Sequence, residues 1–114
     1  MRIRDVRDIL EAEVLCGEEF LDHEVTSACG ADLMSDVLAF VKDQGILLTG
    51  LLNLQVVRTA EMMDMSCIVI VRGKVPDEKL VDFADSRSIV MLRTPYTMYT
   101  ACGRLYNNGL VGVE

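Results

Sequence analysis

The 114 residues of the chain suffice for one domain with its own core, and we expect residues 1–114 to form a single domain. With 51% hydrophobic and 25% charged residues, the composition is that of a globular protein, not a disordered one. The net charge of −7 argues against nucleic acid as a partner. No run approaches the roughly 20 apolar residues of a membrane span, and the N-terminus lacks an apolar signal segment, so we expect a cytoplasmic protein.

The first half of the chain predicts two helices and two strands. In chain order these are a helix at residues 3–10, a strand at 12–16, a strand at 25–29 and a helix at 33–41. Both helices carry an apolar stripe at helical spacing. Asp32 is predicted to cap the second helix, and Gly45 is predicted to end it as a left-handed residue.

The second half predicts a regular alternation of strands and helices. The elements are a strand at 46–48, a helix at 54–63, a strand at 67–71, a helix opened by Pro76, a strand at 88–92, a helix opened by Thr94 and Pro95 that stops at 107–109, and a tail at 110–113 that either adds an edge strand or docks loosely. This alternation predicts an α/β fold with three layers, in which a mainly parallel sheet is covered by helices on both faces.

The chain offers no recognisable metal site or catalytic set. Its cysteines are Cys16, Cys29, Cys67 and Cys102, with no CxxC pair, and we interpret them as reduced structural thiols. Cys16, His23 and Cys29 lack the close spacing of metal ligands, so we expect neither a metal nor a cofactor. His23 is the only histidine and has no spaced nucleophile, which makes it a poor candidate for a general base.

Gly45 and Gly50 have the spacing of the outer glycines of a phosphate-binding P-loop. However, Leu51 and Leu52 stand where that motif requires Lys and then Ser or Thr. The two glycines also flank a strand instead of lying between strand and helix, so their backbone cannot form the phosphate nest. We therefore expect no ATP-dependent phosphoryl transfer.

Basic residues gather where two predicted strands end. Arg72 and Lys74 follow one strand, and Arg93 follows the next. In an acidic chain this local reversal of charge predicts a site for a small anion or a nucleotide phosphate, because ligands of α/β sheets bind beyond the carboxyl ends of the strands. Hydrogen-bonding side chains nearby are Thr49, Asn53 and Thr94. The alternative is that exposed loops collect charge in any case, and that Asp77 and Glu78 already occupy the helix end an anion would prefer.

Several segments resemble the DRTGG domain family. They are DLMSDVL at 32–38, LTG at 48–50 and VRGKVP at 71–76, with Thr97 downstream. The similarity runs over about residues 9–109 and implies an α/β regulatory domain that tends to dimerise. Such domains accompany CBS-domain pyrophosphatases and phosphotransacetylase-like proteins. Stand-alone members are often labelled HPr serine kinase-like, but the similarity lies outside the part of those kinases that carries their P-loop.

The family signatures are only partly kept. Leu51-Leu52 replaces the Asp-Arg that follows Gly50 in the family, and Val71-Arg72 replaces the Thr-Gly that precedes Gly73. Gly50, Gly73, Pro76 and Thr97 are retained. The complete candidate ligand site comprises Thr49, Gly50, Asn53, Arg72, Gly73, Lys74, Arg93, Thr94 and Thr97.

We hypothesise a non-catalytic regulatory or interaction module that is homodimeric and binds a small anionic metabolite or nucleotide. The alternative is a small enzyme, or a subunit that completes a partner's active site. Leu51 and Leu52, with Met62, Met63 and Met65, predict the dimer surface, because adjacent leucines in a turn do not both face one core and thioethers suit recognition surfaces. The competing interpretation is that these side chains seal the sheet.

Overall fold

The computed structural model describes residues 1–40 and 45–112. Helices and strands alternate along most of this part of the chain, and a short 3-10 helix at Glu18–Phe20 separates the first two strands. The bounds are α1 Ile3–Ile9, β1 Glu13–Cys16, β2 Ala28–Gly30, α2 Met34–Phe40, β3 Ile46–Thr49, α3 Leu54–Met62, β4 Cys67–Ile70, α4 Glu78–Ser86, β5 Val90–Arg93 and α5 Met98–Asn107.

The strands form one sheet in the order β1-β5-β4-β3-β2. β2, β3, β4 and β5 are parallel, whereas β1 runs antiparallel to β5 at one edge, with Glu13 opposite Arg93. This topology confirms the predicted α/β fold with a mainly parallel sheet. It also makes β4 and β5 neighbours, with Ile70 opposite Arg93, as the predicted anion site requires.

Helices cover both faces of the sheet and produce the three layers. Because β2 to β5 follow one another across the sheet, right-handed crossovers place α2, α3 and α4 on the same face. α1 and α5 cover the opposite face. Successive strand residues alternate between the two cores, so that Leu48 and Val69 pack towards α1 and α5 while Leu47 and Ile68 pack towards α2, α3 and α4.

In the described part of the chain, three helices end in a left-handed residue that is not glycine. Glu11, Asp64 and Ser88 follow α1, α3 and α4 with φ of 49°, 53° and 58°. In each case the next residue donates its N–H to a carbonyl five residues earlier, as Ile89 does to Ala84 at 3.0 Å. These hydrogen bonds satisfy carbonyls at the helix ends and account for the unusual backbone.

The predicted start of α4 at Pro76 is wrong. The helix begins at Glu78, and Asp77 is its N-cap, with a carboxylate that accepts the N–H of Leu80 at 2.9 Å. A side chain that satisfies a free N–H outweighs the preference of proline for the first turn, because the proline ring contributes no acceptor.

The predicted start of α5 at Thr94 and Pro95 is also wrong. The helix begins at Met98, after Thr97. Thr94 is fully buried, and its hydroxyl donates to the carbonyl of Leu10 at 2.7 Å instead of capping a helix. This contact ties the end of β5 to the end of α1.

The predicted strand at 25–29 is shorter and later in the structure. Val25 donates its N–H to the carbonyl of Met1 at 2.8 Å and lies outside β2. The predicted end of α2 rests on residues 41–44, which lie outside the described residues. At Gly45 a Cβ atom would stand 2.7 Å from the Oγ of Ser27, so the close approach of β2 and β3 requires glycine there.

The tail follows the edge strand β2 as far as residue 112. The carbonyl of Val111 accepts the N–H of Ala28 at 3.0 Å, and Leu110 is buried beneath α5. Residues 113–114 lie outside the described part. Among the helices of the described residues, none has the length and apolar character needed to cross a membrane.

Candidate anion-binding site at the carboxyl edge of the sheet

A tight turn beyond β4 places two of the three basic residues of the candidate site, Arg72 and Lys74. Arg72 and Gly73 both have a left-handed backbone, with φ of 62° and 65°, and the N–H of Lys74 points back to the carbonyl of Val71 at 3.4 Å. Two left-handed central residues are the pattern of a type I′ turn, for which glycine is suited and arginine is not.

The turn is fixed to the loop beyond β5. Arg72 donates its N–H to the carbonyl of Tyr96 at 2.7 Å, and Gly73 donates to the carbonyl of Thr94 at 2.8 Å. α4 and α5 leave neighbouring strands towards opposite faces of the sheet, so the two loops would otherwise diverge. The two hydrogen bonds close that gap and hold the turn in one conformation.

Arg72 differs from the other left-handed residues that are not glycine. Glu11, Asp64 and Ser88 each close a helix, whereas Arg72 follows a strand and is exposed. A left-handed arginine costs on the order of 1–2 kcal/mol, and no helix end compensates for this cost here. Strained residues of this kind concentrate at functional sites.

Gly50 lies beneath the side chains of Arg72 and Lys74. A Cβ atom built on Gly50 would be 3.4 Å from Nη2 of Arg72 and 3.5 Å from Nζ of Lys74. Lys74 also donates from Nζ to the carbonyl of Gly50 at 2.6 Å. The absence of a side chain at Gly50 therefore lets two cations meet over the end of β3.

Asp32, which the sequence pattern predicts as a helix cap, instead contacts the loop beyond β3. In the structure the Oδ1 atom of Asp32 accepts the N–H of Gly50 at 2.7 Å and the hydroxyl of Thr49 at 3.0 Å. The hydrogen bond from Gly50 lowers the pKa of Asp32, and the Thr49 hydroxyl and the charges of Lys74 and Arg72 act in the same direction, against partial burial. An acidic residue after β2, beside a glycine after the neighbouring β3, is the signal that would have indicated this contact.

Thr49 organises the loop beyond β3. It is fully buried, and its Oγ1 atom accepts the N–H of Leu51 at 3.1 Å while donating to Asp32. Asn53 is exposed at the N-cap of α3 and makes no side-chain capping hydrogen bond. Thr49 thus supports the loop, and Asn53 stands at a helix end that faces solvent.

Arg93 does not share the immediate contacts of Arg72. Its guanidinium pairs with the Glu13 carboxylate across β1 and β5, and its Nε points to the carbonyl of Gly73 at 3.5 Å. Together with Glu11 and Pro95 these residues line a separate cavity of about 240 Å³. The turn beyond β4 thus lies between a cluster around Asp32 and an ion pair at β1.

Thr97, the last residue of the predicted site, is exposed before α5. Its hydroxyl contacts that of Thr100 at 3.4 Å. The structure therefore gathers Arg72, Lys74, Gly50 and Thr49 around Asp32, whereas Arg93, Thr94 and Thr97 lie along the β5 side of the same edge.

Three of the thiols, those of Cys16, Cys67 and Cys102, are poorly suited to nucleophilic chemistry. Burial raises the pKa of Cys16 to about 11, and it also raises the pKa values of Cys67 and Cys102. Cys16 and Cys29 lie on β1 and β2, at opposite edges of the sheet, and so cannot bind one metal ion together. His23 borders a polar groove of about 220 Å³ at the other end of the strands.

The surface predicted for dimerisation is divided in the structure. Met65 is buried and Leu51 is half-buried against the core. Both positions agree with the alternative interpretation that these side chains seal the sheet. Leu52 and Met62 are exposed, but they flank opposite ends of α3. The residues therefore do not form one continuous apolar patch.

The family model of the DRTGG domain matches residues 5–107. Among solved structures, the fold is similar to that of the CBS and DRTGG domains in the regulatory region of a Clostridium perfringens pyrophosphatase, complexed with the activator diadenosine tetraphosphate. The TM-score is 0.73 at 20% identity, and the match covers 96% of this chain and 47% of that chain. The present chain thus spans just under half of that structure. A comparison with curated proteins gives no match.

Proposed function

Because the chain belongs to the DRTGG domain family, we propose that it is a regulatory module that binds a nucleotide or another small phosphorylated metabolite and performs no catalysis itself. The similar clostridial structure is a regulatory region complexed with a nucleotide activator, which supports this class of function. Fold similarity alone does not define a ligand, so the proposal depends on the chemistry of the site.

The observation that carries the proposal is the pair of cations over Gly50. Arg72 is kept in a strained backbone conformation and exposed, and Lys74 is directed to the same point. Guanidinium and ammonium groups bind phosphate oxygens well, Arg by a planar fork and Lys as a point charge. A phosphate group of a ligand would therefore contact Arg72 and Lys74 beyond the ends of β3 and β4.

The non-catalytic part of the proposal rests on what surrounds these cations. Among the described residues, Asp32 is the carboxylate with hydrogen bonds into the cluster, and it is ionised and held by Gly50 and Thr49, which suits a structural role better than proton transfer. The thiols with raised pKa values lie within or against the hydrophobic cores. Binding and release of a ligand is the chemistry that this arrangement favours.

Isothermal titration with diadenosine tetraphosphate, ATP and inorganic phosphate tests the proposal. We expect binding of at least one phosphorylated compound, and a loss of affinity of at least tenfold in Arg72→Ala and in Lys74→Ala. Lys79→Ala removes one positive charge from an exposed position on α4 and is the matched control, with unchanged affinity expected. Absence of binding by all three compounds, or equal affinity in all variants, contradicts the proposal.

We further propose that the module works as a homodimer. The chain is small and half apolar, and closed two-fold dimers are the commonest assembly of such domains. Since Leu52 and Met62 do not form one patch, we propose that another surface supplies the contact.

A further inference from the structure

The solvent side of α5 carries two exposed tyrosines around a glycine. The relative exposure is 89% for Tyr99 and 64% for Tyr106. Gly103 lies between them, and a Cβ atom built there would meet nothing within 4 Å. Residues spaced by three and four positions share one helix face, so these side chains form a stripe along α5.

This stripe carries no charge, although the chain has 18 acidic residues. No Asp or Glu occurs between residues 94 and 112. The one charged residue of α5, Arg104, turns towards α1, where its Nε donates to the carbonyl of Ile9 at 3.0 Å and its guanidinium lies 4.5 Å from the ring of Tyr96. Exposed tyrosine combined with depletion of charge is the composition of an interface centre.

Two adjoining grooves without acidic residues extend this surface, and the first includes Arg104 in its lining. One, of about 650 Å³, runs along α5 from Tyr99 to Asn107. The other, of about 200 Å³, lies between α5, the edge strand β2 and the tail, and shares Cys102 and Tyr106 with the first. A partner laid along α5 would therefore contact a ridge with a groove beside it.

We propose that this face binds a second copy of the chain, with the two α5 helices antiparallel across a two-fold axis. In such a pair, residues at equal distance from the axis face each other. Tyr99 and Tyr106 are equally far from the point between Cys102 and Gly103, so Tyr99 of each copy meets Tyr106 of the other. The missing side chain at Gly103 lets the two helix axes approach at the crossing.

The distribution of acidic residues also favours a second copy of the chain as the partner of this face. Two copies with a net charge of −7 repel each other wherever their acidic surfaces meet, and they approach at least electrostatic cost through a face without acidic residues. This face offers no carboxylate to a basic partner, and its one cation, Arg104, already contacts the carbonyl of Ile9 and the ring of Tyr96. The inference rests on the proposed homodimer and assigns its surface to α5.

Sedimentation velocity at micromolar concentration, combined with cysteine cross-linking, tests the assignment. We expect a dimer that Tyr99→Asp converts to a monomer, with circular dichroism showing an unchanged fold because the residue is exposed. Gly103→Cys should form a disulfide-linked dimer under mild oxidation. Ser86→Cys, on the opposite face of the sheet, should not, and the unmodified chain measures the background from the native thiols.

A monomeric wild-type chain overturns both the dimer and its surface, while the titrations with Arg72→Ala still decide the ligand site independently. A dimer that survives Tyr99→Asp and shows no cross-link through Gly103→Cys keeps the homodimer but refutes the α5 interface. If Leu52→Asp dissociates that dimer, the contact lies at the loop before α3 instead.

Discussion

The two ends of the parallel strands contain left-handed residues for different physical reasons. At the amino end, Ser88 closes α4, and the following residue returns its N–H to the carbonyl of Ala84 at 3.0 Å. At the carboxyl end, Arg72 lies in a turn between β4 and α4, where no helix end requires its conformation. The left-handed conformation at the amino end terminates a helix, whereas at the carboxyl end it fixes the position of the Arg72 cation.

The ends also differ in what satisfies their polar groups. At the amino end, backbone carbonyls and N–H groups of helix termini satisfy one another. At the carboxyl end, a side chain from a different element, Asp32, accepts the N–H of Gly50 and the hydroxyl of Thr49. The helix termini at the amino end should therefore tolerate side-chain substitution, and the loops at the carboxyl end should depend on single side chains.

Removal of Asp32 has the largest expected effect on stability. Asp32→Ala leaves the N–H of Gly50 and the buried hydroxyl of Thr49 without their acceptor, which costs about 1–3 kcal/mol of unfolding free energy. Urea denaturation measures this loss. Asp36→Ala, an exposed position on α2, is the control and should change stability by less than about 0.5 kcal/mol. Equal losses in the two variants would show that Asp32 does not hold the loop.

Two glycine substitutions, one at each end of the strands, should have an intermediate effect on stability. Arg72→Gly and Ser88→Gly both relieve the strain of a left-handed backbone. Glycine loses more conformational entropy on folding, which offsets part of this gain, so each substitution should raise the unfolding free energy by about 0.5–1 kcal/mol. Thermal denaturation records both gains. Only Arg72→Gly should also weaken binding of a phosphorylated ligand. A loss of binding in Ser88→Gly, or a loss of stability in Arg72→Gly, would remove the distinction between the two ends.

Local patterns in the sequence were sufficient for most of the fold. Apolar stripes predicted the helices, and continuous apolar runs predicted β3 and β4 because both faces of these strands are buried. The antiparallel direction of β1 could not be predicted, since it depends on the pairing of Glu13 with Arg93, 80 residues apart. That pairing also draws the guanidinium of Arg93 towards Glu13.

The arrangement of the candidate site could be predicted only in part, because some of its contacts also join distant parts of the chain. Arg72 and Lys74 follow a buried strand, so their place at the sheet edge could be inferred from position alone. The contact of Asp32 with Gly50 joins two different loops, and it exists because β2 and β3 are parallel neighbours. Local capping rules cannot detect this long-range acceptor, and they assigned Asp32 to the helix that follows it.

The smallest expected effect is the pH dependence of stability at the carboxyl end. The pKa of Asp32 is lowered in the folded chain, so its charged form contributes stability above the ordinary aspartate value near 3.9, and that contribution is lost as the pH falls below it. The difference in Tm between the wild-type chain and Asp32→Asn should therefore be present at about pH 5 and shrink towards about pH 3.

Asp22 provides the control for this pH effect, because its pKa is also lowered but by the exposed side chain of Arg4. The pair of Asp22 with Arg4 is screened when the Debye length falls to about 3 Å at roughly 1 M salt. The hydrogen bond from the backbone of Gly50 to Asp32 is not removed by screening. Salt should thus reduce the pH-dependent part of the Asp22→Asn effect, which rests on an exposed hydrogen-bonded ion pair, more than that of Asp32→Asn. Equal reductions in both would mean that Asp32 acts only through the nearby cations.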